Sequence, residues 1–208
     1  MKQLTLVMLI GLIFTSCKKD DAAANQSAQK ESVAEYFPMS TGSYWVYKEY
    51  QADTSLILTE SGQYDTVTVV NDTMINGISY KQFISSIWWK YFYRDSSGII
   101  VTPKGNKILS FETGSQYLEA RNIEPGNTTI YLTTRLSQND STFIVPAGSF
   151  ISKYIIGTVT SSQSSPQWMK KRTYMLAYAK NIGLVYKSAF WINDVGYFEY
   201  RLVKYSLK

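Results

Sequence analysis

Histidine is absent from the 208 residues, and cysteine occurs once, at Cys17. The first absence removes a Ser-His-Asp triad, an imidazole general base and a His-ligated zinc. The second removes an intrachain disulfide and any thiolate metal cluster. Catalysis would be left to carboxylates, Ser-Lys pairs or tyrosine, so the sequence reads as a non-enzyme with no cofactor and no metal site. Charge is sparse as well: 18% of residues, 21 basic against 16 acidic, for a formal net of +5. The basic residues are scattered, and Lys170-Lys171-Arg172 is their densest cluster in the folded region. A nucleic-acid binder concentrates charge on one face or motif, so no nucleic-acid partner is expected. Neither a D-x-D-x-D calcium loop nor a glycine-rich phosphate cradle occurs. Beyond the first 14 residues no long apolar run and no sustained 3.6-residue period is found, so helix content should be small.

What the chain does have begins at its start. Met1-Lys2-Gln3 leads into an apolar run from Leu4 to Phe14, then Thr15-Ser16-Cys17 and an abrupt polar turn, Lys18-Lys19-Asp20-Asp21. A positive start, an apolar stretch and small residues at the break mark a secretory signal. The run is shorter than the ~20 residues that span a bilayer. Leu12-Ile13-Phe14-Thr15-Ser16-Cys17 resembles the lipobox of bacterial lipoproteins, with Phe14 where leucine is usual. That resemblance implies cleavage before Cys17, acylation of its sulfur, and a membrane partner reached through that lipid. Lys18 is not the aspartate that resembles an inner-membrane retention signal. The run Lys18 to Asp21 looks like the one that follows the cysteine in some surface-exported lipoproteins. An outer-membrane protein facing outward is the expectation. Residues 1–16 are then the signal peptide and 17–35 the lipidated cysteine and a flexible tether. The tether sequence around Ala22–Lys30 is too polar to offset its ordering entropy.

Residues 36–208 read as one β domain, rich in tyrosine, tryptophan, threonine, valine and isoleucine. Asn76-Gly77 between strand-like runs is a hairpin signal, since both positions must take positive φ. Turn clusters recur at Asp95–Gly98, Pro103–Asn106 and Pro125–Asn127. Regular short strands with turns between them predict an all-β fold: a single antiparallel, strongly curved sheet, or a partial barrel or sandwich. Three motifs stand out: Phe37-Pro38-Met39 with Gly42 and Trp45-Val46-Tyr47; Val145-Pro146-Ala147-Gly148-Ser149-Phe150; and Tyr178-Ala179 with Gly183-Leu184-Val185. Together they resemble a family of uncharacterised bacterial lipoproteins and periplasmic domains. The family implies an antiparallel sheet curved around an apolar interior, and it carries no agreed activity. By their chemistry these positions are architectural. Pro146 suits a strand start or bulge, Gly148 and Gly183 supply backbone freedom, and Tyr178 and Leu184 bracket a tight connection.

Aromatic residues are abundant, with 17 Tyr, 9 Phe and 5 Trp. The densest run is Trp88-Trp89-Lys90-Tyr91-Phe92-Tyr93. Strand alternation would set Trp88 and Lys90 on one face and Trp89, Tyr91 and Tyr93 on the other. The candidate ligand-binding residues are therefore Trp88, Trp89 and Tyr91, with Trp168 and Trp191 on nearby loops. As an exposed platform such rings stack on sugars or line a groove for an apolar ligand. Carboxylates at Asp65, Asp72, Asp95, Asp194 and Glu199 would serve a glycosidase only as a pair about 5–10 Å apart. The leading expectation is a non-catalytic envelope module that binds a glycan or an envelope protein. The alternative is a carrier for an apolar molecule in the concave face of the sheet. A large apolar cavity would favour the carrier; a filled interior with exposed rings would favour the binder.

Overall fold

The computed structural model describes residues 31–52, 57–112, 117–123, 128–161, 171–190 and 196–208, with side chains at 31–52, 57–112, 131–160, 172–190 and 196–208. Cys17, Trp168, Trp191 and Asp194 lie outside the described residues.

Among the described residues, thirteen strands form one antiparallel sheet that curls into a half-barrel. They are β1 (Tyr44–Ala52), β2 (Leu58–Ile75), β3 (Ile78–Ser85), β4 (Lys90–Asp95), β5 (Ile99–Val101), β6 (Lys107–Ser110) and β7 (Tyr117–Ile123). The rest are β8 (Thr128–Leu136), β9 (Ser141–Val145), β10 (Gly148–Ser161), β11 (Lys171–Ala179), β12 (Gly183–Phe190) and β13 (Tyr197–Ser206). Neighbours run β6-β5-β4-β3-β2-β1-β13-β12-β11-β10-β8-β7, with β9 paired to β10. Each pairing is antiparallel, and most link strands consecutive in sequence. The exception at the centre, β1 beside β13, joins the two ends of the domain.

The turn chemistry works as anticipated. Asn76 and Gly77 take φ of 51° and 77°, and Ile75 pairs with Ile78 across them. Pro146-Ala147 forms the loop between β9 and β10, with Val145 opposite Gly148. Tyr178 pairs with Leu184 across the β11–β12 turn. Residues 31–35, which composition assigns to the tether, instead form a capped turn. Ser32 and Glu35 close a capping box around the 3-10 segment Val33–Glu35, and Val33 is buried. A tether reading weighs mean polarity, and it misses one valine held by two reciprocal hydrogen bonds.

Alternation along the central strands turns one row of side chains inward. In β1 these are Trp45, Tyr47 and Glu49; in β13, Phe198, Tyr200 and Leu202. Val69, Phe83, Ala177 and Val185 complete the core around them. Burying each large side chain contributes about 1.5–3 kcal/mol. The segment before β1 caps the concave face. The Phe37 ring centre lies 5.7 Å from that of Phe83, 5.3 Å from Tyr93 and 6.0 Å from Tyr178. Tyr93 belongs to β4 and Tyr178 to β11, six strands apart in the sheet order. Only a strongly curled sheet brings both against one ring.

Candidate ligand-binding cavity

The concave face holds a half-open cavity of about 300 Å³. Phe37 and Pro38 border it from the entering segment, Trp45 and Tyr47 from β1, and Asp65 and Val67 from β2. Phe83, Tyr91 and Tyr93 face it from β3 and β4. Leu176, Tyr178, Leu184, Lys187 and Tyr200 close the other side. The wall is dominated by aromatic and aliphatic carbon, with charged groups confined to Asp65 and Lys187.

Two of the sequence motifs, far apart in the chain, build this wall jointly. Trp45 Nε1 donates to the Ile182 carbonyl at 2.6 Å, and the Tyr47 hydroxyl donates to the Leu184 carbonyl at 2.9 Å. Gly183 sits between them at φ +98°. A Cβ there would meet Pro38 Cδ at 3.2 Å and Trp45 Nε1 at 3.4 Å. The glycine is thus required by its backbone angle and by the close approach of the first motif.

Register places a polar row across the face. Lys187 on β12 stands opposite Tyr200 on β13, which stands opposite Glu49 on β1. Glu49 is 5% exposed and Tyr200 2%. The Tyr200 hydroxyl donates to Glu49 Oε2, and Gln51 Nε2 donates to Oε1 at 2.5 Å. Asp65, 3% exposed, accepts at Oδ1 from the Ser85 hydroxyl at 2.7 Å and the Ser86 amide at 3.1 Å. Both acids are therefore supplied with donors from the protein itself. Burial raises the Tyr47, Tyr93, Tyr178 and Tyr200 phenols above their ordinary range, and the bond to Glu49 adds to it at Tyr200. Burial also pulls Lys187 below the usual lysine value, with Asp65 and Glu49 opposing.

Lys187 has a different environment. Its Nζ lies 4.5 Å from the centre of the Tyr200 ring and 5.8 Å from that of Trp88. Among the described residues it meets no hydrogen-bond acceptor and forms no ion pair. The Trp88 indole N–H is likewise buried with no partner at hydrogen-bond distance, though it is near enough to Tyr200 to oppose the upward shift of that phenol.

The five residues singled out from the sequence part company. Tyr91 lines the cavity. Trp88 turns inward, its ring 6.5 Å from Phe198 and stacked on it. Trp89 is 80% exposed. Trp88 and Trp89 precede β4, so strand alternation does not govern them. The Ser85 hydroxyl accepts from the amides of Ile87 and Trp88 at 3.3 and 2.8 Å, which bends the chain and points the Trp88 ring to the core. Trp168 and Trp191 lie outside the described residues. Of the carboxylates, Asp72 pairs with Lys81, Asp95 caps its own turn through the Gly98 amide, and Glu199 pairs with Arg201. Among the described residues no group of three or more metal-ligating side chains comes together, and no helix is long and apolar enough to cross a membrane.

Lys187, Tyr200 and Glu49 were not singled out by sequence. For Glu49 a signal existed: it falls in phase with Trp45 and Tyr47 on the buried side of β1. For Lys187 the signal was hidden by a bulge. Tyr178 pairs with Leu184 but Ala177 with Tyr186, so Val185 is an extra residue in β12. Regular alternation from Leu184 would send Lys187 to the opposite face; the inserted residue reverses the phase and turns it inward.

No family model matches the chain, and no curated protein matches it. Two solved structures are similar in part. A candidate exported protein with a YmcC-like fold from Bacteroides fragilis is 14% identical, with a TM-score of 0.42, over 82% of this chain and 98% of its own. A candidate lipoprotein from Parabacteroides distasonis is 11% identical, with a TM-score of 0.39, over the same shares. Both scores lie below 0.5, where a likeness carries no inference about function.

Proposed function

We propose that this chain is a lipoprotein of the bacterial cell envelope, anchored through Cys17 at the outer membrane, whose half-barrel holds an apolar ligand in its concave face. The envelope address is supported by the signal-like start and the lipobox-like Leu12–Cys17. The binding role is supported by one observation above all, the aromatic-walled cavity of about 300 Å³. Small-molecule sites are clefts of roughly 300–1,000 Å³, mostly apolar, with a few placed polar groups. An exposed sugar-stacking platform is less well supported, because Trp88 and Tyr91 face inward and leave Trp89 outside.

Titration of the mature chain, made soluble by Cys17→Ser, with decanol tests the cavity. Saturable one-to-one binding is expected, and Val67→Phe, which adds a ring inside the cavity, should abolish it. Absence of saturable binding in the unfilled cavity would remove the carrier role. Intact-mass analysis of the chain extracted from native membranes tests the anchor: a diacylglyceryl or triacyl adduct on Cys17 is expected, and an unmodified thiol with the leader attached would refute it.

A further inference from the structure

Lys187 lines the cavity, and among the described residues its ammonium meets no hydrogen-bond acceptor. The ammonium lies near two aromatic rings, those of Tyr200 and Trp88. Aromatic faces attract a cation but accept no hydrogen bonds from it in the manner of an oxygen, so its donors stay open to whatever occupies the cavity. The nearby acids attract the ammonium across space, but neither accepts a hydrogen bond from it. Glu49 is engaged by Tyr200 and Gln51, and Asp65 by Ser85 and Ser86. The Tyr47 hydroxyl is spent on the Leu184 carbonyl. Lys187 thus faces the cavity with donors that nothing in the described wall uses.

We propose that the ligand is a single-chain carboxylate, its head seated on the Lys187 ammonium and its chain lying against the rings of Trp45, Phe83 and Tyr93. This rests on the concave face being a ligand site and adds the head group. One ammonium balances one negative charge, and a dianionic head would meet Asp65 and Glu49 on the same face. Carboxylate is therefore favoured over a phosphate. The volume sets the chain length. At about 30 Å³ per water-sized group, 300 Å³ holds roughly ten non-hydrogen atoms, so a medium-length chain fits. The lowered proton affinity of Lys187 fits a group whose charge is completed by what binds beside it.

Decanoate and decanol share a chain and differ at the head. With the mature Cys17→Ser chain near neutral pH, decanoate should bind about tenfold or more tightly than decanol. In Lys187→Met that preference should disappear, and in Lys187→Arg, which keeps the charge, a preference should remain. Decanol bound as tightly as decanoate, or a preference unchanged in Lys187→Met, would overturn the head-group assignment while leaving the apolar site standing. No saturable binding of either would overturn both. Should Lys187→Met fail to fold, the decanoate-to-decanol ratio of the unsubstituted cavity still decides the matter.

Discussion

Tyr200→Phe isolates one hydroxyl from an otherwise unchanged ring. Tyr200 is 2% exposed and Glu49 5%, and the phenol is one of two side-chain donors to that carboxylate. Removing it leaves Glu49 Oε2 buried and short of a donor. A hydrogen bond to a charged group contributes about 1.5–3 kcal/mol, and an unsatisfied buried group costs a similar amount. The phenyl ring retains its packing on Phe198, 5.6 Å away, so no cavity contributes to the loss. For a domain of this size each kcal/mol moves Tm by roughly 2–4 °C, giving an expected fall of about 3–12 °C. Glu49→Leu in the Tyr200→Phe background should recover much of it, because the orphaned acceptor is gone; the two losses should be strongly non-additive. Urea unfolding of the single and double variants supplies the free energies. A Tyr200→Phe variant as stable as the parent, or two losses that simply add, would refute the claim that this pair satisfies a buried acid.

Gly183→Ala should destabilise by about 1–3 kcal/mol, since an L residue is strained at the observed angle and its methyl meets Pro38 and Trp45; an unchanged urea midpoint would contradict this. Trp89→Ala, a change at a largely exposed ring, should shift stability by no more than about 0.5 kcal/mol and leave decanol affinity intact, and a lost ligand would restore the exposed platform as the site. Alkaline pH should unfold the domain early. The raised phenols of Tyr47, Tyr93, Tyr178 and Tyr200 hold their protons in the folded state above the unfolded value near 10. Their contribution is complete below that value and falls as pH rises past it, by roughly 1.4 kcal/mol per unit for each phenol. Lys187, with its affinity for protons lowered, acts in the opposite sense between its folded value and the ordinary one, and a single group offsets little. Urea midpoints at about pH 9 and about pH 11 check the sign; equal midpoints would mean the phenols are not buried as described.

Much of the architecture could be read from local chemistry. Asn76-Gly77 names its own turn, because few other pairs accept two positive φ angles, and the Tyr178–Leu184 bracket follows from a glycine between two strands. Short strands separated by turn signals point to an all-β fold and leave curved sheet, partial barrel and sandwich open, because turn spacing acts over short distances. The site was less accessible. Its polar row depends on which of three strands lie side by side, and β1 meets β13 only through the closing of the chain on itself. Lys187 depends further on one bulge at Val185, and a bulge leaves no composition signal. Trp88 was assigned to a strand face, but the Ser85 hydroxyl ends the ladder and redirects it. Side-chain-to-backbone bonds of this kind compete with strand pairing wherever serine is available.

Intermolecular nuclear Overhauser effects between ligand methylenes and protein ring protons test the central claim most directly. With the mature chain saturated by decanoate, contacts to Trp45, Phe83 and Tyr93 are predicted, from rings that share the concave wall. Contacts confined to the exposed ring of Trp89, or none from a ligand shown to be bound, would contradict a cavity that serves as the binding site.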